Sequence, residues 1–244
     1  MFKNFKINKV LLIIPLTSLI FCFNAPKDDN EKMSTIMVSV KNTLSYLHYS
    51  PKPINDAYSQ DVYKKYFETL DPIKRYFLQS DMDEFAKHKT KLDDYLNNGD
   101  LTFFKLTNSR MLQRVDEIDK ITKDIFSKPI NLDEDETIIL EPTKKQNPKN
   151  QQELYADWRK YIKYNILQEI ETMNSREESQ QKKKDSFQKN GLKDTVNVKI
   201  LTPEQKRLKA TGEVKDLLTN SFTRIRKVKQ MDWFSRYMNA YTEV

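Results

Sequence analysis

Glycine is nearly missing from this sequence: Gly99, Gly191 and Gly212 are the only three in 244 residues. Sandwiches, barrels and nucleotide-binding folds use glycine in tight turns and phosphate loops, so its scarcity argues against all three. No Gly-x-Ser-x-Gly elbow presents a serine nucleophile, and no glycine-rich loop cradles a phosphate. A carboxylate-binding loop of the PDZ kind, which needs exposed N–H groups in a glycine-rich turn, has no counterpart either. Cysteine is reduced to Cys22, which excludes a disulfide or cysteine-metal framework within the chain and is compatible with export. Histidine is reduced to His48 and His88. They lie on different expected helices and neither has a second histidine at i+4, so both read as surface or interface residues rather than metal ligands.

What is abundant is charge, at 32% of residues. Helices built from such a sequence are amphipathic and rich in surface. The formal net charge is +7, but three of those charges are Lys3, Lys6 and Lys9 at the N-terminus. Elsewhere Lys and Arg alternate with Asp and Glu, so no nucleic-acid partner is expected. A basic opening followed by apolar residues 10–21, with Pro15 inside, has the layout of a secretory signal. That run is short of the ~20 residues needed to span a bilayer comfortably. Residues 1–25 therefore read as a signal peptide or N-terminal anchor. Cys22 keeps a lipidated form open, although Phe21 before it is bulkier than that signal prefers. Membrane contact is expected only through this signal, anchor or lipid, and the expected location is the periplasm.

The remainder, residues 26–244, reads as one all-α, multi-helix domain of antiparallel amphipathic helices, with long polar loops and at most one short strand. Ile36, Met37, Val40, Leu44 and Leu47 mark a first helix over 33–48, ended by Pro51 and Pro53. Asn55 or Asp56 caps a second, whose stripe is Val62, Tyr63, Tyr66, Phe67 and Leu70. Asp71-Pro72 stops it. Ile73, Tyr76, Phe77 and Leu78 then predict a packed turn. Ser80 with Asp83 suggests a capping box opening one helix through Phe85, Leu92 and Leu96 to Gly99. Asp100 caps the next, which runs to about Phe126. Its seam of Leu101, Phe104, Met111, Val115, Ile118 and Ile125 suits an internal helix pair or a dimeric coiled coil.

Two stretches, about 128–150 and 175–201, read as polar loops. The first holds the acidic run 133–136, expected to be solvated rather than to ligate calcium, which needs alternate ligands. The second holds Lys182, Lys183 and Lys184 and ends in the alternating run 195–201, a candidate short strand. Between them Leu154, Trp158, Ile162, Ile166 and Ile170 predict a strong helix. Thr202, Pro203 and Gln205 open another, which continues past Gly212 through Val214, Leu217, Leu218 and Phe222. Trp233, Phe234, Tyr237, Met238 and Tyr241 form a terminal apolar segment.

The combination Ser59-Gln60-Asp61-Val62-Tyr63, Tyr66, Leu70-Asp71, Tyr76-Phe77-Leu78, Ser80-Asp81 and Phe85 resembles the N-terminal helical region of the carboxy-terminal processing, or tail-specific, proteases. Trp158-Arg159, Ile162-Lys163 and the stretch from Arg224 to Tyr241 resemble later landmarks of the same region. The resemblance implies an exported serine peptidase with a Ser-Lys dyad, a PDZ domain that engages substrate C-termini, and helical regions that surround the core and dock adaptors. It places the PDZ domain, the serine and the lysine beyond the stretch that ends near Val244. Accordingly no catalytic, cofactor-binding or metal residue is assigned in this chain, which is expected to be inactive alone. Its implied partners, through the parent protease, are protein substrates with accessible C-termini and a periplasmic adaptor. A stand-alone periplasmic helical adaptor without enzymatic activity is the alternative reading.

Overall fold

A computed structural model of the chain describes residues 28–48, 50–190 and 200–244. Among these residues there are eight α-helices and no strand. They are α1 (Asp29–Asn42), α2 (Asp56–Leu70), α3 (Gln79–Ala86), α4 (Leu92–Asn98), α5 (Thr102–Phe126), α6 (Gln151–Lys189), α7 (Pro203–Lys227) and α8 (Gln230–Thr242). One π-helical turn, Thr43–Leu47, extends α1. Polar side chains start several helices by accepting otherwise unpaired first-turn N–H groups. Asp28 accepts from Glu31, Asn55 from Ala57 and Tyr58, and Asn150 from Glu153. Thr202 and Gln205 complete a reciprocal box behind Pro203. Asp100 accepts the N–H of Thr102 at 2.8 Å.

Helix α5 is the axis, in contact with α3, α4, α6, α7 and α8. Its seam residues Phe104, Met111, Val115, Ile118 and Ile125 are all buried within the chain, so the internal-packing expectation holds. On one side α2 and α8 pack antiparallel, as the pairs Tyr58–Tyr241 and Tyr66–Tyr237 show. The Tyr58 hydroxyl donates to the Tyr241 carbonyl at 2.5 Å, and the Tyr241 hydroxyl donates to the Leu92 carbonyl at 3.1 Å. Burial pushes all four of these tyrosines well above the usual phenol range, so they remain neutral donors. On the other side α6 and α7 form an antiparallel hairpin: Trp158 meets Phe222 near its base, and Lys206 pairs with Glu177 at 2.5 Å farther out.

Three features of the helix layout differ from the sequence expectation. The single helix expected from Ser80 to Gly99 is two. Three-residue hydrogen bonds at Lys87, His88 and Lys89 tighten and end α3. The redirected α4 can then place Asp93 on α2, where the Ser59 hydroxyl donates to the Asp93 carboxylate at 2.5 Å and accepts the Asp93 N–H at 2.8 Å. The loop expected from about 175 is helical to Lys189. Glu, Gln and Lys are good helix formers, and extending a nucleated helix costs little. Asn174 and Glu177 also bind Lys206 of α7, which ties α6 past its last buried residue, Met173. Leu217, expected in the stripe of α7, is 55% exposed, because Ala210, Val214, Leu218 and Phe222 fill that face. The candidate strand 195–201 lies outside the described residues except for Ile200 and Leu201, which are not in a strand.

Gly99 is the one described glycine whose conformation matters, ending α4 at φ +64°. A Cβ there would lie 2.9 Å from the Ser34 carbonyl oxygen and 2.4 Å from its hydroxyl, which itself donates to the Gly99 carbonyl. Gly99→Ala should therefore cost about 2 kcal/mol and lower the thermal midpoint by roughly 5 °C. Gly212→Ala, in open space within α7, should instead stabilise by about 0.5–1 kcal/mol. Thermal unfolding followed by circular dichroism distinguishes the two.

Candidate functional site at the α2 corner

The corner after α2 is built from within by one carboxylate. Pro72 prevents the helix from continuing, and Asp71, 5% exposed, folds back over the turn. One of its oxygens accepts the N–H of Arg75 at 2.8 Å. The other accepts those of Tyr76 at 2.9 Å and Phe77 at 3.1 Å. Lys74, at φ +48°, is the only non-glycine with positive φ among the described residues. Burial pushes the Asp71 carboxyl above its usual range, against these three donors and nearby Lys145.

From outside, the corner is held by α6 and by the segment between α5 and α6, hereafter the strap. The Trp158 indole N–H donates to the Arg75 carbonyl at 3.1 Å. From the strap, Asn147 donates to the Phe77 carbonyl at 3.0 Å, and the Pro148 carbonyl accepts the Gln79 N–H at 2.8 Å. Lys74 Nζ donates to the Lys145 carbonyl at 2.7 Å. Arg75, 3% exposed, lies with its guanidinium 3.3 Å from the Tyr161 ring centroid. Burial lowers its pKa, and nearby Tyr161 and Asp157 act in the opposite direction. The packed turn expected here is formed by Tyr76, Phe77 and Leu78, with Phe77 and Leu78 buried, whereas Ile73 is only partly buried.

Just past the corner, α3 starts differently from the expected Ser80–Asp83 box. The N-cap is Leu78, which has no side-chain acceptor, and Asp81 supplies the returning half by accepting the Leu78 N–H at 2.9 Å. Asp83 instead accepts from the side chain of Gln79. Asp81 is fully buried and forms the centre of a charge network. It accepts from Arg114 Nε at 2.7 Å and Nη2 at 2.8 Å, and it also pairs with Arg110. Glu84 and Glu117 complete the network on the outer sides of the two arginines.

The strap is more firmly held than a solvated loop. Glu136 pairs with Arg159 and Lys163, and Lys145 pairs with Asp157 at 2.5 Å. The hydrogen bond from Arg159, reinforced by Lys163, outweighs partial burial and pulls Glu136 down to about 2. The expectation of a solvated acidic run is thus corrected at Glu136, and Asp133 reaches Arg207 of α7. Long side chains on α6 and α7, far away in sequence, supply the compensating charge.

Between α2, the corner and the strap lies a cleft of about 600 Å³. Tyr63, Phe67, Phe77 and Met82 give it an apolar lining, and Asp61, Lys64 and Lys89 stand on its rim. This arrangement suits docking of an apolar side chain. Most of its lining falls between Gln60 and Met82, inside the stretch singled out in the sequence, whereas the strap residues Pro142, Thr143 and Asn147 lie in a segment read there only as a polar loop. Among the described residues no group of three or more His, Cys, Asp or Glu side chains is placed to hold a metal ion. His88 Nδ1 hydrogen-bonds the Tyr95 hydroxyl at 2.6 Å, and His48 Nδ1 lies 2.8 Å from the Ser50 carbonyl. No helix among the described residues is long and apolar enough to cross a membrane.

Residues 40–244 match the family described as tail specific protease N-terminal domain. A tail-specific protease of Haemophilus influenzae is 29% identical over 125 residues, which is 51% of this chain and 18% of that protein. The matched stretch is thus less than a fifth of the relative's length.

Proposed function

Because the chain belongs to the tail-specific protease N-terminal domain family, we propose that it is the non-catalytic helical domain of an exported serine-type endopeptidase that processes proteins from their C-termini. In this reading the domain shapes the path by which a substrate reaches the active site and offers docking surfaces to partner proteins. The bond-breaking step belongs to a PDZ and Ser-Lys core, where lysine takes the serine proton and an acyl-enzyme forms. The observation that carries the reading is the family match over residues 40–244, most of the chain. Export is proposed from residues 1–25, which lie outside the described residues.

Two measurements test the proposal. The purified chain, incubated with an unfolded protein such as reduced casein, should generate no new termini by mass spectrometry. Turnover that a serine-directed inhibitor abolishes would place the chemistry in this chain and overturn the non-catalytic reading. The reading frame beyond Val244 should continue in frame into a glycine-containing carboxylate-binding loop and then a serine and a lysine. A genuine stop codon with a stable 244-residue product would leave a helical adaptor instead.

A further inference from the structure

A second groove, of about 420 Å³, lies between the strap and the first turns of α6. Ile138 and Ile139 give it an apolar wall, and Lys144, Lys145, Lys149 and Lys160 bring cations to it. Two of these are neutralised: Lys144 pairs with Glu141 at 2.5 Å, and Lys145 pairs with Asp157 at 2.5 Å. The other two meet no acidic side chain among the described residues. Lys160 Nζ donates to the Thr137 carbonyl at 3.1 Å. The Lys149 side chain has no partner there, since it is its backbone N–H that the Glu153 carboxylate accepts, at 2.8 Å. The layer behind the groove repeats the imbalance. Lys74 Nζ reaches the Lys145 carbonyl at 2.7 Å rather than an acid. Arg75, buried near Asp157, keeps its Nε without a hydrogen-bond partner. Lys74, Arg75, Lys149 and Lys160 thus stand against two acids that have no cation in a salt bridge, Glu153 and the enclosed Asp71.

We propose that this groove docks an acidic segment of a partner protein, with a glutamate or aspartate set between Lys149 and Lys160 and an aliphatic neighbour against Ile138 and Ile139. Charge complementarity identifies the occupant. A cation enclosed by protein acts through a low dielectric, so Arg75 adds to the positive field behind Asp157 although it need not touch the partner. An entering carboxylate supplies the acid that these cations lack. The groove also selects against other anions. None of its lining residues is aromatic, so nothing is present on which a nucleic-acid base could stack. Exposed Glu134 and Asp135 lie just before its apolar wall, and Glu153 lies within it. These acids repel an extended polyanion but leave room for single carboxylates spaced along a peptide. The strap is already tied to α6 through Glu136 and Lys145, so the groove is formed before a partner arrives and little ordering cost remains. The inference rests on the docking role proposed above for its use in the cell. Binding is measured apart from proteolysis, so a failure here leaves the non-catalytic reading standing, and turnover of casein leaves this one.

The probe is a fluorescent nine-residue peptide in which glutamate and leucine alternate, titrated into the full chain by anisotropy. Binding is expected, weakened by added salt, with slowed hydrogen exchange at residues 137–139 and 147–149. The same peptide with glutamine in place of glutamate should bind about tenfold more weakly or worse, and one with serine in place of leucine about threefold more weakly. Lys149→Glu, which places an acid just before the Asn150 cap where α6 tolerates it, should weaken binding about tenfold. Lys160→Gln keeps a donor for the Thr137 carbonyl and should weaken it about threefold. Lys183→Glu changes the net charge as Lys149→Glu does but lies far along α6, and it should alter binding less than about twofold. Should one groove variant lose helicity by circular dichroism, the other carries the comparison. Failure of the glutamate peptide to bind overturns the proposal, as does equal binding of the glutamine peptide or equal loss in Lys149→Glu and Lys183→Glu. Displacement of the peptide by an eight-nucleotide single strand at equal charge would show an unselective anion patch and overturn it too. A concentration-dependent dimer of the free chain that the peptide dissociates would make a second copy the occupant and overturn the partner assignment.

Discussion

Asp81→Ala is expected to lower the thermal unfolding midpoint by roughly 10 °C, because removing one partner of a buried ion pair costs about 3–5 kcal/mol. Asp81 is fully buried, and its carboxylate serves Arg114, Arg110 and the Leu78 N–H at once. Alanine leaves Arg114, itself 7% exposed, with Glu117 as its remaining acid partner, and it leaves the first turn of α3 without its returning cap. Asp81→Asn keeps the shape and an acceptor and should fall between the two. The double variant Asp81→Leu/Arg114→Met removes both charges and should lose less than the sum of the single changes, since no stranded cation remains. Acid titration gives a second readout. Burial alone would raise the Asp81 carboxyl, but Arg114, the Leu78 N–H and Arg110 together hold it below the ordinary aspartate range. A carboxyl lowered by folding stabilises the fold above its unfolded value, about 4, and that stability is lost as pH falls through the folded value. The wild-type curve should therefore drop on acidification more steeply than that of Asp81→Ala.

The sequence exposes this network only in part, and the reasons differ from place to place. Helices α5, α7 and α8 were legible because each carries its own apolar period and, for α7, a complete box at Thr202–Gln205. Asn55 and Asp71-Pro72 likewise act within a few residues of where they stand. The division between α3 and α4 was not legible. Phe85, Leu92 and Leu96 keep helical spacing through it, and the break serves Ser59, 34 residues earlier. The α3 cap misled because Ser80 satisfies the usual preference while the acceptor role falls to Asp81, three residues after a leucine. The far part of α6 has no apolar stripe to read, and its support comes from Lys206 on another helix. The cleft was half legible. Its aromatic lining follows from the α2 stripe and the packed corner, whereas its strap wall depends on contacts such as Asn147 with Phe77, 70 residues apart. The run at Ile138–Leu140 is visible as β-branched composition, but only the fold shows that Ile139 and Leu140 stay exposed.

The corner itself is the place where a single substitution should do damage of a different kind. Asp71→Ala removes the acceptor of three N–H groups that the fold encloses, and an enclosed donor without a partner costs about 1–3 kcal/mol. Some of that is offset, because burial already penalises the Asp71 carboxylate, so a net loss on the order of 3 kcal/mol is expected. Asp71→Asn supplies one accepting oxygen but points an amide NH2 at donors, and it should recover only part of the loss. The pH dependence separates this site from Asp81. A carboxyl whose folded value is raised contributes stability that is fully present below its unfolded value and is lost as pH rises through the folded one. The deficit of Asp71→Ala relative to wild type should therefore be larger in mild acid than at neutral pH, whereas the deficit of Asp81→Ala should shrink in acid. Hydrogen exchange locates the effect. The amides of Arg75, Tyr76 and Phe77 should exchange faster in Asp71→Ala, while those within α2 keep their protection. If those three amides stay protected and the midpoint is unchanged, then the outer contacts from Trp158, Asn147 and Pro148 hold the corner without the carboxylate. The strap, rather than Asp71, would then set the angle between α2 and α3 and the width of the cleft.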